Sequence, residues 1–238
     1  VSGTLDHRGE AAPHDEAIRR RYLAVDTSNV ADALDEAGHR DQGLSAEFAP
    51  RPAGAGRLAG WAFTILGAMA PPPDGAGPVN GDARKMAACG DVTAGEVTVW
   101  TGACEGVCCF GELIALGLQE RGCVGALVDG GVRDVRWLGE HGFPVYARYR
   151  TPVQSIGRWR VTDWQVPVVL PGATSRHVLV TPGDLILADD DGALVVPRAL
   201  AEPVLLRAEE LTATEARIRA ELAGGMTLRE ALTRFGHV

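Results

Sequence analysis

The chain is expected to fold as an α/β protein, with parallel crossover units in its middle and an antiparallel β layer after them. Three observations carry this. Between residues 96 and 149, strand-like and helix-like runs alternate: "EVTVW", "GELIALGLQERG", "CVGALVD", "RDVRWLGEHG", "PVYARY". That rhythm implies parallel strands joined by right-handed crossovers. From residue 164 onward, short apolar runs ("WQVPVVL", "HVLV", "LILA", "ALVVP") are divided by the turns "PGATSR", "TPGD" and "DDDG". Finally, 238 residues with 46% hydrophobic and 23% charged side chains are enough to bury a substantial core.

In chain order, residues 1–14 are polar and read as a flexible N-terminus ahead of one domain over 15–238. "DEAIRRRYLAVDTSNVADALDEAG" (15–38) predicts two helices. Thr27 or Ser28 caps the second, Val30, Ala33, Leu34 and Ala37 recur at helical spacing, and Gly38 stops it. "GRLAGWAFTIL" (56–66) predicts a strand, ended by the "APPPDGAGP" loop (70–78), and "GDARKMAAC" (81–89) a short helix. A strand over 96–100 leads through a ten-residue loop to a helix over 111–122. There Leu113, Ile114, Leu116 and Leu118 pair at i+3 and i+4, and Gly122 takes the C′ position. Helices over 198–223 and 227–235 close the chain.

A net charge of −8 argues against a nucleic-acid partner, and the basic "RRRYL" after "HDEA" reads as a solvated helix face. Five cysteines without a paired CxxC arrangement fit a reducing, cytoplasmic compartment. No apolar run is long enough to cross a membrane, and "VSGTLDHRGE" does not read as a signal peptide. "GAGRLAG" has the wrong spacing for a dinucleotide loop, "DDDG" suits a hairpin turn better than a calcium loop, and His141 and His177 lack metal-ligand spacing. Cys108 and Cys109 precede a helix start, a place that can lower a thiol pKa, but no histidine accompanies them.

One constellation points to chemistry. In parallel crossover units, both strand-to-helix junctions open on the carboxyl edge of the sheet, where open α/β sheets bind ligands. Glu112 stands at one such junction and Arg133-Asp134 at the next. Together they offer two carboxylates, a guanidinium and the N–H groups of Gly111, Glu112, Leu113 and Ile114, which suit a small carboxylate anion. Neighbouring carboxylates repel unless a cation relieves them, and Mg²⁺ or Mn²⁺ is the natural candidate. The same residues also suit helix first turns, with Arg133 simply paired to one acid. Lys85, the single lysine, falls on a polar segment away from this motif, which disfavours a Schiff base.

An acidic residue, twenty intervening residues and Arg-Asp resemble the motif of the RraA-like family, which includes 4-hydroxy-4-methyl-2-oxoglutarate aldolases that also decarboxylate oxaloacetate. "VADALDEAG", "GWAFTI", "GALVDGGVRDV", "GFPVYAR" and "VTPGDLILADDDGALVVP" resemble family blocks in family order, so the likeness covers residues 15–235. The resemblance implies a three- or four-layer α/β/β/α sandwich of the swivelling β/β/α type, assembled as a homotrimer or homohexamer. It implies Asp134 as direct metal ligand and Glu112 as a ligand through water, where the family often has Asp. It further implies Arg133 on the keto oxygen, the 111–114 amides on the carboxylate of a 2-oxo acid, and a carboxylate from a neighbouring subunit. Glu215 is the candidate for that carboxylate, with Glu209 and Glu210 as rivals. Some family members instead bind and inhibit ribonuclease E. A methyltransferase would need a glycine-rich loop that has no match here.

Overall fold

The computed structural model describes residues 15–70 and 81–236. The expected flexible segment 1–14, and all of the 70–78 loop beyond residue 70, lie outside the described residues.

Two short helices open the described chain, α1 (Glu16–Tyr22) and α2 (Thr27–Glu36). The expected Thr27 or Ser28 cap is not found. Asp26 holds the N-cap position without a side-chain cap bond, and pairs with Arg57 instead. The Thr27 N–H and hydroxyl both donate to Asp189, at 3.0 and 2.7 Å, so a distant carboxylate caps the helix. Gly38, at φ 83°, does lie just beyond the helix end.

After the two-residue strand β1 (Ala49–Pro50) come β2 (Leu58–Met69), α3 (Ala83–Asp91), β3 (Glu96–Phe110), α4 (Glu112–Gln119), β4 (Gly125–Val132), α5 (Val135–Glu140) and β5 (Val145–Arg150). β2, β3, β4 and β5 pair in parallel, which the alternating pattern over 96–149 predicted for the last three. Burial on both faces explains why β4 is buried throughout, with Asp129 as its one charged residue. Ala126, Val128 and Val132 pack with Ala115 and Leu118 of α4 and Leu138 of α5, while Leu127 joins a separate core on the other face.

The C-terminal half holds β6 (Trp159–Trp164), β7 (Val168–Pro171), β8 (His177–Val180), β9 (Leu185–Asp189), β10 (Gly192–Val196), a 3-10 turn (Arg198–Leu200), α6 (Ala201–Ala223) and α7 (Leu228–Phe235). The antiparallel layer is smaller than expected. β7 and β8 alone form the second sheet, whereas β9 pairs antiparallel with β2 and carries β10 with it. The eight-stranded sheet therefore runs β1-β5-β4-β3-β2-β9-β10, with β6 added on β2. The "DDDG" turn joins β9 and β10 as a hairpin. α1, α2 and α6 cover the β9–β10 end through Tyr22, Leu34, Leu187, Val204 and Leu205.

The ten residues expected as a loop before α4 continue β3 instead. Its ladder with β4 is broken: Cys104 faces Gly130 and Cys108 faces Gly131, so Glu105, Gly106 and Val107 form a bulge, the first two exposed and Val107 turned into the core. Gly102 (φ 110°), Ala103 (φ 53°) and Gly106 (φ 72°) supply the turns. Gly102 is also a close approach, since a Cβ there would lie 1.8 Å from the Gly67 carbonyl oxygen.

Candidate active site

β3 and β4 end side by side, and one hydrogen bond keeps their exits together: the Arg133 N–H donates to the Phe110 carbonyl at 3.1 Å. Gly111 then opens α4 in an extended conformation and offers no side-chain cap. The cap comes from the neighbouring junction, where Asp134 Oδ2 accepts from the Glu112 N–H at 3.1 Å. Asp134 reaches it from a left-handed backbone (φ 58°, ψ 31°), a conformation that Asp tolerates better than most residues. Arg133 Nε lies 3.4 Å from the same Oδ2. Space here is tight, since a Cβ on Gly111 would sit 2.7 Å from Asp134 Oδ2 and 3.0 Å from Arg133 Cγ.

The structure thus brings Gly111, Glu112, Arg133 and Asp134 to one edge, as the pattern predicted. It changes two details. The Glu112 amide, expected to hold a substrate anion, is engaged by Asp134, because a carboxylate at a helix N-terminus satisfies a bare N–H and the helix dipole together. What meets Asp134 is also the Glu112 backbone. The Glu112 carboxylate is half-buried and has no hydrogen bond or ion pair among the described residues. Leu113 projects outward, 76% exposed, and Ile114 packs partly against the core.

Carboxylate oxygens shared with water are the donor chemistry of Mg²⁺ or Mn²⁺, and Asp134, its side chain 36% exposed, can offer them. Among the described residues no group of three His, Cys, Asp or Glu could hold a metal ion. A cation at this junction would therefore keep several waters or draw a ligand from another chain. Within this chain Glu215 pairs with Arg219 (3.2 Å), Glu209 with Arg21 (2.6 Å) and Glu210 with Arg207 (2.8 Å). They all lie on α6, which packs chiefly on α1, α2 and α7.

Two further expectations are corrected. Cys108 and Cys109 are not activated by the helix start: burial raises the Cys108 thiol, and a hydrogen bond to Cys104 followed by burial raises Cys109. Lys85 is not on an open polar segment but 7% exposed, with Nζ donating to the Cys109 carbonyl and to Ser155 Oγ, each at 3.1 Å. Its burial comes from Trp100 and Trp159, far from it in sequence, so local composition could not show it.

Sequence reasoning also missed a polar network on the opposite face of β4. Arg148 binds Glu105 (2.7 Å), Glu47 (2.8 Å) and Asp129 (3.2 Å), and Asp129 accepts from the Thr101 hydroxyl at 2.9 Å. Thr101 and Asp129 line a hollow of about 560 Å³ with Val169, Pro171 and His177. A second hollow, of about 330 Å³, lies at Asp26, Arg57 and Asp189. Neither is lined by Glu112 or Asp134.

Parallel crossover strands ending in an acid–Arg–Asp junction define an α/β protein built to present small polar groups at its carboxyl edge. The chain belongs to the RraA-like family, described as Aldolase/RraA, whose model matches residues 27–195. It is 34% identical over 128 residues to a Halalkalibacterium halodurans protein provisionally named 4-hydroxy-4-methyl-2-oxoglutarate aldolase. That match takes in 53% of this chain and 58% of the relative. The chain spans less than two thirds of the curated relatives it matches. Among solved structures, an uncharacterized Pseudomonas syringae protein superposes with TM-score 0.76 at 28% identity, covering 93% of this chain and 99% of the other. Streptomyces coelicolor RraAS2, described as an unusual member of the RNase ES inhibitor RraA protein family, superposes with TM-score 0.72 at 27% identity. The coverage there is 88% of this chain and 98% of the other.

Proposed function

We propose that the chain is a divalent-cation-dependent carbon–carbon lyase that releases pyruvate from 4-hydroxy-2-oxo dicarboxylic acids and decarboxylates oxaloacetate. The observation that carries this proposal is the meeting of the two junctions, with Asp134 Oδ2 within 3.1 Å of the Glu112 amide and 3.4 Å of Arg133 Nε. The aldolase-type name of the H. halodurans relative supports it.

Cleavage beside a ketone needs an electron sink, and a divalent cation held by Asp134 would supply it as a Lewis acid toward the 2-oxo acid. Arg133, with a side chain 44% exposed, turns a planar donor fork toward the substrate's keto and leaving-group oxygens. The α4 amides beyond Glu112, those of Leu113 and Ile114, bind the substrate carboxylate. The Glu112 carboxylate, without a partner among the described residues, orients the water that carries a proton between the substrate hydroxyl and the carbon left behind. Lys85 takes no part, because its amine is buried and already hydrogen-bonded.

The test is pyruvate formation from oxaloacetate and from 4-hydroxy-2-oxo acids, with Mg²⁺, with chelator, and with Asp134→Asn. We expect turnover with Mg²⁺ and a loss of at least about 100-fold in either of the other two conditions. Turnover that survives both overturns the proposal. A second reading, a binding protein that acts on an RNase E-type nuclease, is favoured by the likeness to RraAS2 and by the engaged Glu112 amide. Nuclease binding in the absence of any turnover would select it.

A further inference from the structure

Just before the junction, β3 is irregular a second time. Cys108 faces Gly131 and Phe110 faces Val132, so Cys109 is an extra residue with no Cα partner on β4. An extra residue of this kind is left unpaired and re-aims the strand beyond it, here Gly111 and Glu112. β2 gives no support at this point, since its pairing with β3 ends at Thr101.

A buried side chain serves the carbonyl of that extra residue. Lys85 Nζ donates to the Cys109 carbonyl and to Ser155 Oγ, each at 3.1 Å. It lies over the Trp159 and Trp100 rings, 5.2 and 5.8 Å from their centroids, and makes no ion pair among the described residues. Taking an ammonium out of water is costly, so these bonds and ring faces are what hold it there. The base of the lysine is fixed as well. Asp82 caps α3 by accepting from the Lys85 N–H at 3.1 Å, and its other oxygen accepts from the Val161 N–H of β6 at 2.8 Å.

We propose that Lys85 is a positioning residue for the junction: by holding the Cys109 carbonyl it keeps the extra residue out of the ladder, and so keeps Glu112 opposite Asp134. The path is short. Phe110 follows Cys109 and accepts the Arg133 N–H at 3.1 Å, and two residues further the Glu112 N–H reaches Asp134 Oδ2, also at 3.1 Å. Without the ammonium, the Cys109 carbonyl is buried and unserved, a state that backbone groups avoid. β3 relieves it by drawing Cys109 into the ladder, which slips Glu112 by one residue against Asp134. Lys85 touches no substrate and acts only through the backbone. Its effect on turnover rests on the lyase reading, whereas the register it sets does not.

Amide proton resonances of the full chain read that register. The Glu112 N–H, bound to a carboxylate, should resonate downfield in the wild-type protein. Lys85→Met fills similar space between the indoles without a donor, and should move the Glu112 and Arg133 amides upfield while the interior of α4 stays in place. Ser155→Ala leaves the Cys109 contact intact and should keep both amides at their wild-type positions. Lys85→Arg, which retains a cationic donor on a long arm, should restore them, and decides the matter if the Met variant fails to fold. With oxaloacetate and Mg²⁺, Lys85→Met should lower kcat about tenfold and leave KM within about twofold. Unmoved Glu112 and Arg133 amides in folded Lys85→Met overturn the brace. So do equal shifts in Ser155→Ala, or unrestored amides in folded Lys85→Arg. A wild-type chain that releases no pyruvate counts against the lyase alone, and the resonances still decide the role of Lys85.

Discussion

At Asp134, side chain and backbone make separate demands. The carboxylate caps α4, while φ 58° asks for a residue at ease in the left-handed region. Asp134→Asn keeps that ease and an oxygen acceptor but removes the charge. Asp134→Ala loses all three. We expect Asn to leave chemical stability within about 0.5 kcal/mol, and Ala to cost about 1–2 kcal/mol through the lost cap and the strained backbone. Urea titration of both variants reads the difference, and equal losses would mean that the conformation carries no cost. Asp134 and Arg133 were legible in sequence as helix-mouth residues. The use of Asp134 on a helix other than its own was not, because it depends on two strands ending side by side. Lys85 was misplaced for a related reason: nothing near it in the chain announces Trp100 and Trp159.

Elements with local punctuation were readable. Gly38 and Gly122 end helices at positive φ, and Thr227 with Glu230 forms a full capping box at the start of α7. The alternating 96–149 segment gave the parallel strands in order because each strand and helix there carries its own period. β3 beyond Trp100 was not readable, since Gly102, Ala103 and Gly106 look like loop residues and serve as bulge residues. β6 was missed because "WRVTDW" buries Trp159 and Val161 in alternation over too few residues to stand out. The bulge predicts a contrast between two glycines. Gly102→Ala meets the Gly67 backbone at 1.8 Å and should cost more than about 3 kcal/mol or prevent folding. Gly106→Ala meets nothing within 4 Å and should cost about 1 kcal/mol. Thermal unfolding of the two variants checks this, and similar losses would contradict the close approach.

Across the whole molecule, the N-terminal helix is fastened to the sheet by charge as well as by packing. Arg19 donates to the Ala59 carbonyl at 3.1 Å and to both Glu16 oxygens at 2.7 Å, and Arg21 binds Glu209 on α6. The Arg19 hydrogen bonds lower Glu16 from 4.5 to about 2. Because the folded value is depressed, this stabilisation is complete above pH 4.5 and disappears as the pH falls through about 2. Glu16→Gln should therefore unfold more easily than wild type near neutrality, by about 0.5 kcal/mol because the pair is solvent-screened, and match it in strong acid. Denaturant titrations along a pH series would show the curves converge; a constant gap would place the effect elsewhere.

The cap that Asp134 lends to α4 has an energetic corollary. A cation that takes Asp134 Oδ2 rather than Oδ1 would draw away the acceptor of the Glu112 amide and loosen the first turn of α4. Adding Mg²⁺ should then speed solvent deuteration at the Glu112 amide relative to the α4 interior, a local signature of occupancy that can be followed without any substrate.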